Sequence, residues 1–349
     1  MKTDQDLLRY DPTRTYAWNY DQRPEPVDVE IPACPGEWTF CGLTVDSPLG
    51  VPAGPLLNGA WILYYASLGF DVLTYKTARS AHRECYPPPN LQPVDAQSLA
   101  GREASVACAQ EMTGSWAVSF GMPSKSPDVW RRDVEWTRQH LPKNKVLSVS
   151  VVGTVQPGWS LEQLADDYAK CARWAVESGA DCIETNFSCP NVSTCDGQLF
   201  QQPADAAQVA ARVRDAIGDV PYILKLGHVL EEAAATTLLD AVAPYANTLA
   251  MTNSVATTVQ NADGELLFDG QPRGICGDAT RAASIAQTRL FAGLIQRKGL
   301  PLTLVGVGGA STAAQVRDYL DAGAESVHIA TAAMVDPTVA IRIRRGMSA

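Results

Sequence analysis

The 349-residue chain is 46% apolar and 19% charged, enough apolar material for a large core and too little charge for a disordered polymer. Its formal net charge of −10 and pI near 4.9 repel polyanions, which argues against nucleic acid or an anionic membrane as the main partner. No apolar run approaches the roughly 20 residues that span a bilayer, and Met1 to Arg14 holds no signal-peptide core, so a cytoplasmic location is expected.

Residues 1–40 are polar, carry Pro12, Pro24, Pro26, Pro32 and Pro35, and show no sustained period. They read as a surface arm, with 41–349 as one domain. From Pro48 onward, short apolar runs alternate with amphipathic segments, the pattern of a parallel sheet with crossover helices. The expected strands are Leu49 to Ala53, Asp71 to Lys76, Val146 to Val152, Cys182 to Phe187, Tyr222 to Leu226, Thr248 to Asn253, Leu302 to Val307 and Ser326 to Ala330. Eight such strands close a (β/α)8 TIM barrel. The alternative, a doubly wound open sheet, lacks a G-x-G-x-x-G after the first strand.

Helix signals agree with a repeated βα unit. Ser160 with Gln163 fits a capping box, and Gly69, Gly179 and Gly323 each stand where a helix should end before the next strand. Three strand-to-helix connections are long: Thr77 to Lys145, Ser188 to Pro203 and Ser254 to Thr280. Loops at this end of a barrel build the active site, so their length predicts a substrate pocket under a lid.

Polar residues gather at the C-terminal ends of these strands: Lys76-Thr77, Asn186, Ser188-Cys189, Lys225, Asn253-Ser254 and Gly308-Gly309. Gly308-Gly309 after the seventh strand and Ala330-Thr331 after the eighth occupy positions where barrels often bind phosphate through backbone N–H groups, although a Gly-Gly pair also makes a plain tight turn. Nine cysteines include no C-x2-C pair, and the closest are Cys34 with Cys41 and Cys189 with Cys195. No metal site or disulfide is expected, and Cys171 and Cys182 read as core.

At these strand ends the chain resembles a known family. Glu184-Thr185-Asn186-Phe187-Ser188-Cys189-Pro190-Asn191-Val192 is similar to the hallmark run of class 1 dihydroorotate dehydrogenases, in its cysteine version. Ala53-Gly54, Tyr75-Lys76-Thr77, Leu224-Lys225-Leu226, Thr252-Asn253-Ser254, Gly274-Ile275-Cys276-Gly277, Gly306-Val307-Gly308-Gly309 and Ile329-Ala330-Thr331-Ala332 also resemble family motifs, in order, from about Cys41 to Pro337.

The resemblance implies an FMN enzyme, a homodimer by family habit, that oxidises dihydroorotate to orotate. A base removes a proton from one ring carbon while a hydride leaves its neighbour for the flavin. Cys189 resembles that base, and a thiol pKa near 8.5 suits the task. Lys225 resembles the lysine that stabilises the reduced flavin. Lys76 resembles a residue touching both flavin and substrate. Ser119, Gly121, Met122, Asn186, Asn191, Asn253 and Ser254 match substrate positions. Ala53, Gly54, Thr77, Gly277, Gly308, Gly309, Ala330 and Thr331, with Lys76, Asn186 and Lys225, match cofactor positions.

Two departures stand out. Val118 replaces the family's substrate asparagine, which allows a second reading: a flavin dehydrogenase or ene-reductase for another dihydropyrimidine or cyclic amide. Ala330 replaces a frequent glycine, which backbone donation survives. A Schiff-base lyase with Lys225 as nucleophile and a flavin-binding module without catalysis complete the alternatives. Among the histidines, His82 and His140 read as surface residues, His328 as part of an apolar strand, and His228 as a neighbour of the site.

Overall fold

The computed structural model describes residues 7–188 and 198–348. A short helix α1 (Tyr16–Asp21) is followed by a hairpin of β1 (Trp38–Phe40) and β2 (Leu43–Val45). The chain then enters β3 (Leu49–Val51), α2 (Gly59–Ser67) and β4 (Val72–Ala78). Three short strands, β5 (Leu91–Asp95), β6 (Ser105–Cys108) and β7 (Ser115–Val118), precede α3 (Pro127–His140). Alternation continues through β8 (Val146–Val151), α4 (Leu161–Glu177), β9 (Cys182–Asn186), α5 (Pro203–Ile217), β10 (Tyr222–Lys225), α6 (Glu232–Val242) and β11 (Thr248–Met251). After β12 (Val255–Gln260) and β13 (Arg273–Gly277) come α7 (Arg281–Lys298), β14 (Thr303–Val307), α8 (Ala313–Asp321), β15 (Ser326–His328), α9 (Thr331–Val335) and α10 (Val339–Ser348).

Strands β3, β4, β8, β9, β10, β11, β14 and β15 pair in parallel in that order and close on themselves. This is the expected TIM barrel, with each strand inside its predicted range or within two residues of it. Its strands are legible because crossover helices bury both faces and leave nearly continuous apolar runs. The predicted capping box is present at Ser160, and Gly179 takes φ +97° just past α4.

The expected connection from Thr77 to Lys145 needs correction: α3 lies within it, so the strand-to-helix segment ends at Ser126. That segment and the one after β11 together form a second closed sheet, in the order β12, β13, β7, β5 and β6. It stands over the C-terminal rim and holds its own small core, which includes Val94, Val106, Ala117, Val255 and Ile275.

The N-terminal arm is tied into the main core. Tyr10, Tyr16 and Tyr20 are buried, and Tyr10 and Tyr16 each meet the Phe120 ring at 6.0 Å. The Asn58 amide donates to the Tyr20 carbonyl and the Trp61 indole to that of Asn19. The β1–β2 hairpin straddles residue 40 and plugs the barrel's N-terminal end, where Phe40 and Val45 pack with Val72, Val146, Cys182 and Ile223. Beneath it, Asp71 is held by Lys145 at 2.5 Å and by Arg344 and Ser47.

Candidate functional site

Two lysines define the pocket at the C-terminal rim. Lys225 ends β10 and Lys76 lies near the end of β4, both buried. The β4–β8 register shifts between Tyr75 and Ala78. Such a bulge re-aims side chains, which explains how the consecutive Lys76 and Thr77 both line one pocket. Thr77 shares a 3.0 Å hydroxyl contact with Ser150 on β8.

The same pocket is lined by Ala53, Gly54, Gly121, Met122, Asn186, Asn253, Ser254, Ala330 and Thr331. With Lys76, Thr77 and Lys225 they come from six different barrel strand ends and the lid, and all were expected at the site from sequence. A Cβ added at Gly54 would meet nothing within 4 Å, so the strand end there opens onto free space. Ser254 Oγ is buried without a hydrogen-bond partner, as is Thr252 Oγ1. Of the two, Ser254 lines the pocket, and an unpaired hydroxyl at a pocket wall suits a polar ligand.

The asparagines anchor the motif loop. Asn186 Oδ1 accepts the Ser188 N–H at 3.0 Å, and Asn253 Nδ2 donates to the Ser188 carbonyl at 2.5 Å. Both therefore fix the residue that leads into Cys189. Cys189 and Asn191 themselves lie outside the described residues.

Ser119, Gly277, Gly308 and Gly309 do not line this pocket. The Ser119 hydroxyl accepts from Arg273 Nε at 2.8 Å. A Cβ at Gly309 would fall 2.7 Å from the Gly277 carbonyl, and one at Gly277 would fall 2.2 Å from that of Gly114. These glycines let three backbone segments meet at the rim.

Sequence reasoning missed the apolar wall. Leu91, Trp116, Phe120 and Cys276 line the pocket beside Val118, all from the lid. Apolar residues in a connection look like ordinary core, so no signal marked Leu91 or Trp116, and Cys276 stood only inside a motif quoted for its glycines. Arg79 was also missed. It is fully buried and donates to the carbonyls of Met122 at 3.1 Å and Gly153 at 2.6 Å. It thereby holds Met122, whose φ of +51° is unusual for a side chain with a Cβ and costs on the order of 1 kcal/mol.

His82 and His140 are exposed, as expected. His228 is half-buried, and burial lowers its pKa against the opposing pull of Glu103. His328 is buried inside the barrel, where burial and the Lys225 charge lower its pKa to about 3.

The family model for dihydroorotate dehydrogenase matches residues 107–349. The chain belongs to the dihydroorotate dehydrogenase family. That family consists of flavin oxidoreductases acting on the CH–CH bond of dihydroorotate, the chemistry that the resemblance implies. A dihydroorotate dehydrogenase of Dictyostelium discoideum is 28% identical over 324 residues, covering 87% of this chain and 86% of its own length. The catalytic subunit of an NAD(+)-type dihydroorotate dehydrogenase B of Desulforudis audaxviator is 26% identical over 307 residues, covering 87% and 88%. A quinone-type dihydroorotate dehydrogenase of Bordetella avium is 23% identical over 331 residues, covering 92% and 84%. The crystal structure of the Eimeria tenella dihydroorotate dehydrogenase with ferulenol superposes with a TM-score of 0.71 at 17% identity, over 89% of this chain and 83% of that one. No helix among the described residues is long and apolar enough to cross a membrane.

Proposed function

We propose that this protein binds FMN in the rim pocket and oxidises (S)-dihydroorotate to orotate. The carrying observation is convergence: Lys76, Thr77, Asn186, Lys225, Asn253, Ser254 and Ala330 line one pocket in a chain of this family. The open space at Gly54 and the unpaired Ser254 hydroxyl are compatible with a polar cofactor there. FMN, when bound, would supply the acceptor for a hydride leaving one ring carbon.

The chain's own residues would do the rest. Lys225 and Lys76, both largely out of water, would place positive charge where negative charge develops. Asn186 and Asn253 would hold Ser188 and thereby position Cys189, whose thiolate Sγ would take the proton from the neighbouring carbon. The lid wall of Trp116, Val118 and Phe120 would exclude water. Gly277, Gly308, Gly309 and Thr331 would serve the phosphate end, and Ser119, Gly121, Met122 and Asn191 the substrate. A cytoplasmic homodimer acting in pyrimidine ring synthesis completes the reading.

Val118 in the pocket wall supports a second reading, a flavin dehydrogenase or ene-reductase for another cyclic amide. Denaturing the purified protein tests the shared premise. Release of about one flavin monophosphate per chain is expected, and a protein that neither carries nor takes up FMN would remove both readings.

A further inference from the structure

Barrel interiors are usually filled by branched aliphatic side chains. Here the layer beneath the rim pocket is polar. Side chains alternate along a strand, so Val72, Thr74 and Lys76 on β4 follow one another inward from the plugged end to the rim, as do Cys182, Glu184 and Asn186 on β9. Thr74 Oγ1, Ser148 Oγ, Glu184 Oε1 and both His328 ring nitrogens are buried without a hydrogen-bond partner. So many buried polar atoms set this layer apart from an aliphatic barrel interior and make it a place where a charge can be held only if another charge faces it.

Lys225 ends β10 directly above this layer, and its charge acts on both Glu184 and His328. His328, with its pKa lowered to about 3, stays neutral near pH 7 and adds no second positive charge beside Lys225. Of the other two buried acids among the described residues, Asp71 is engaged with Lys145 and Arg344 at the plugged end, and Asp167 on α4 accepts from the Ser80 hydroxyl and the Thr154 N–H. Glu184 is the remaining carboxyl, wholly buried with Ser150 beside it.

We propose that Glu184 is a positioning residue for Lys225: its carboxylate, one level below on the neighbouring strand, is the internal counter-charge that offsets the Lys225 charge and moderates how strongly the pocket stabilises a negative ring. Burial, the largest cause, holds the Glu184 carboxyl above its usual value, and the Lys225 charge and the Ser150 hydroxyl pull it only part of the way back. A buried ammonium without any counter-charge would be costly, and the pair relieves that cost in place. The consequence for a bound ring rests on the flavin reading above.

Glu184→Gln keeps the shape and removes the charge. In the protein with its flavin, the two-electron equilibrium should move at least tenfold toward the reduced form, a rise of about 30 mV. The shift should vanish when the change is made on a Lys225→Met background. Glu184→Asp keeps the charge and should stay near the wild-type potential; if it moves as far as E184Q, packing is responsible and the inference fails. An unchanged potential in E184Q also overturns it, while leaving the flavin reading intact. If the purified protein holds no flavin, the functional reading fails by itself and Lys225 still reports. In that case Glu184→Gln and Lys225→Met, made singly and together, should show a coupling of at least about tenfold in the urea unfolding equilibrium constant, and additive effects would overturn the inference.

Discussion

Replacing His328 by leucine should remove an acid sensitivity built into the barrel. The ring is 2% exposed, stacks on Phe40 at 5.5 Å and 29°, and fits against the bare backbone of Gly50, where a Cβ would lie 2.4 Å from it. Burial first, and the Lys225 charge second, lower its pKa from 6.5 to about 3. A histidine of that kind stays neutral in the folded protein while the unfolded chain takes up a proton. Its stabilisation is therefore complete above about pH 6.5 and is lost as the pH falls toward 3. At about 1.4 kcal/mol per pH unit, the loss between pH 6.5 and pH 5 is about 2 kcal/mol. Urea unfolding of both proteins at about pH 7.5 and pH 5 measures it. His328→Leu will be less stable at both values through lost packing, but the wild type should lose about 2 kcal/mol more than the variant on acidification. Equal losses would show that His328 already carries its proton in the fold or is solvated, and would refute the reasoning.

Three further outcomes are expected. Cys189→Ala should keep FMN and slow flavin reduction by dihydroorotate about 10²–10⁴-fold in stopped flow, the usual worth of a positioned base; a wild-type rate would remove Cys189 from that role. Val118→Asn should tighten orotate by about 1–3 kcal/mol, read by titrating the flavin absorbance, if the pocket serves dihydroorotate, and should weaken the true ligand if it serves a less polar ring. Asp71→Asn leaves Lys145 and Arg344 without their buried partner and should destabilise the fold by about 3–5 kcal/mol in chemical denaturation; a change below about 1 kcal/mol would contradict a buried ion network there.

The eight barrel strands were legible because burial on both faces writes apolar runs of strand length. The five lid strands were not. β5 carries Pro93 and polar Gln92 and Asp95, β6 has only four residues, and β12 pairs with β6 across a long stretch of chain. Nothing local announces such pairing. The same division holds at the site. Lys76, Asn186, Lys225 and Asn253 were visible because a polar residue ending an apolar run needs a reason. Leu91 and Trp116 were not, since their role comes from the lid's placement. Arg79 reads as an ordinary loop charge, and its burial depends on carbonyls 43 and 74 residues away. Glu184 was visible only as a letter in a motif; its meaning depends on Lys225 from the next strand.

The most direct test mixes the purified protein with dihydroorotate in the absence of oxygen and follows the flavin absorbance. The account predicts a yellow protein whose band near 450 nm bleaches as about one orotate forms per flavin. A protein that carries FMN yet keeps its full absorbance with excess dihydroorotate, and shows no spectral response to orotate, would contradict it.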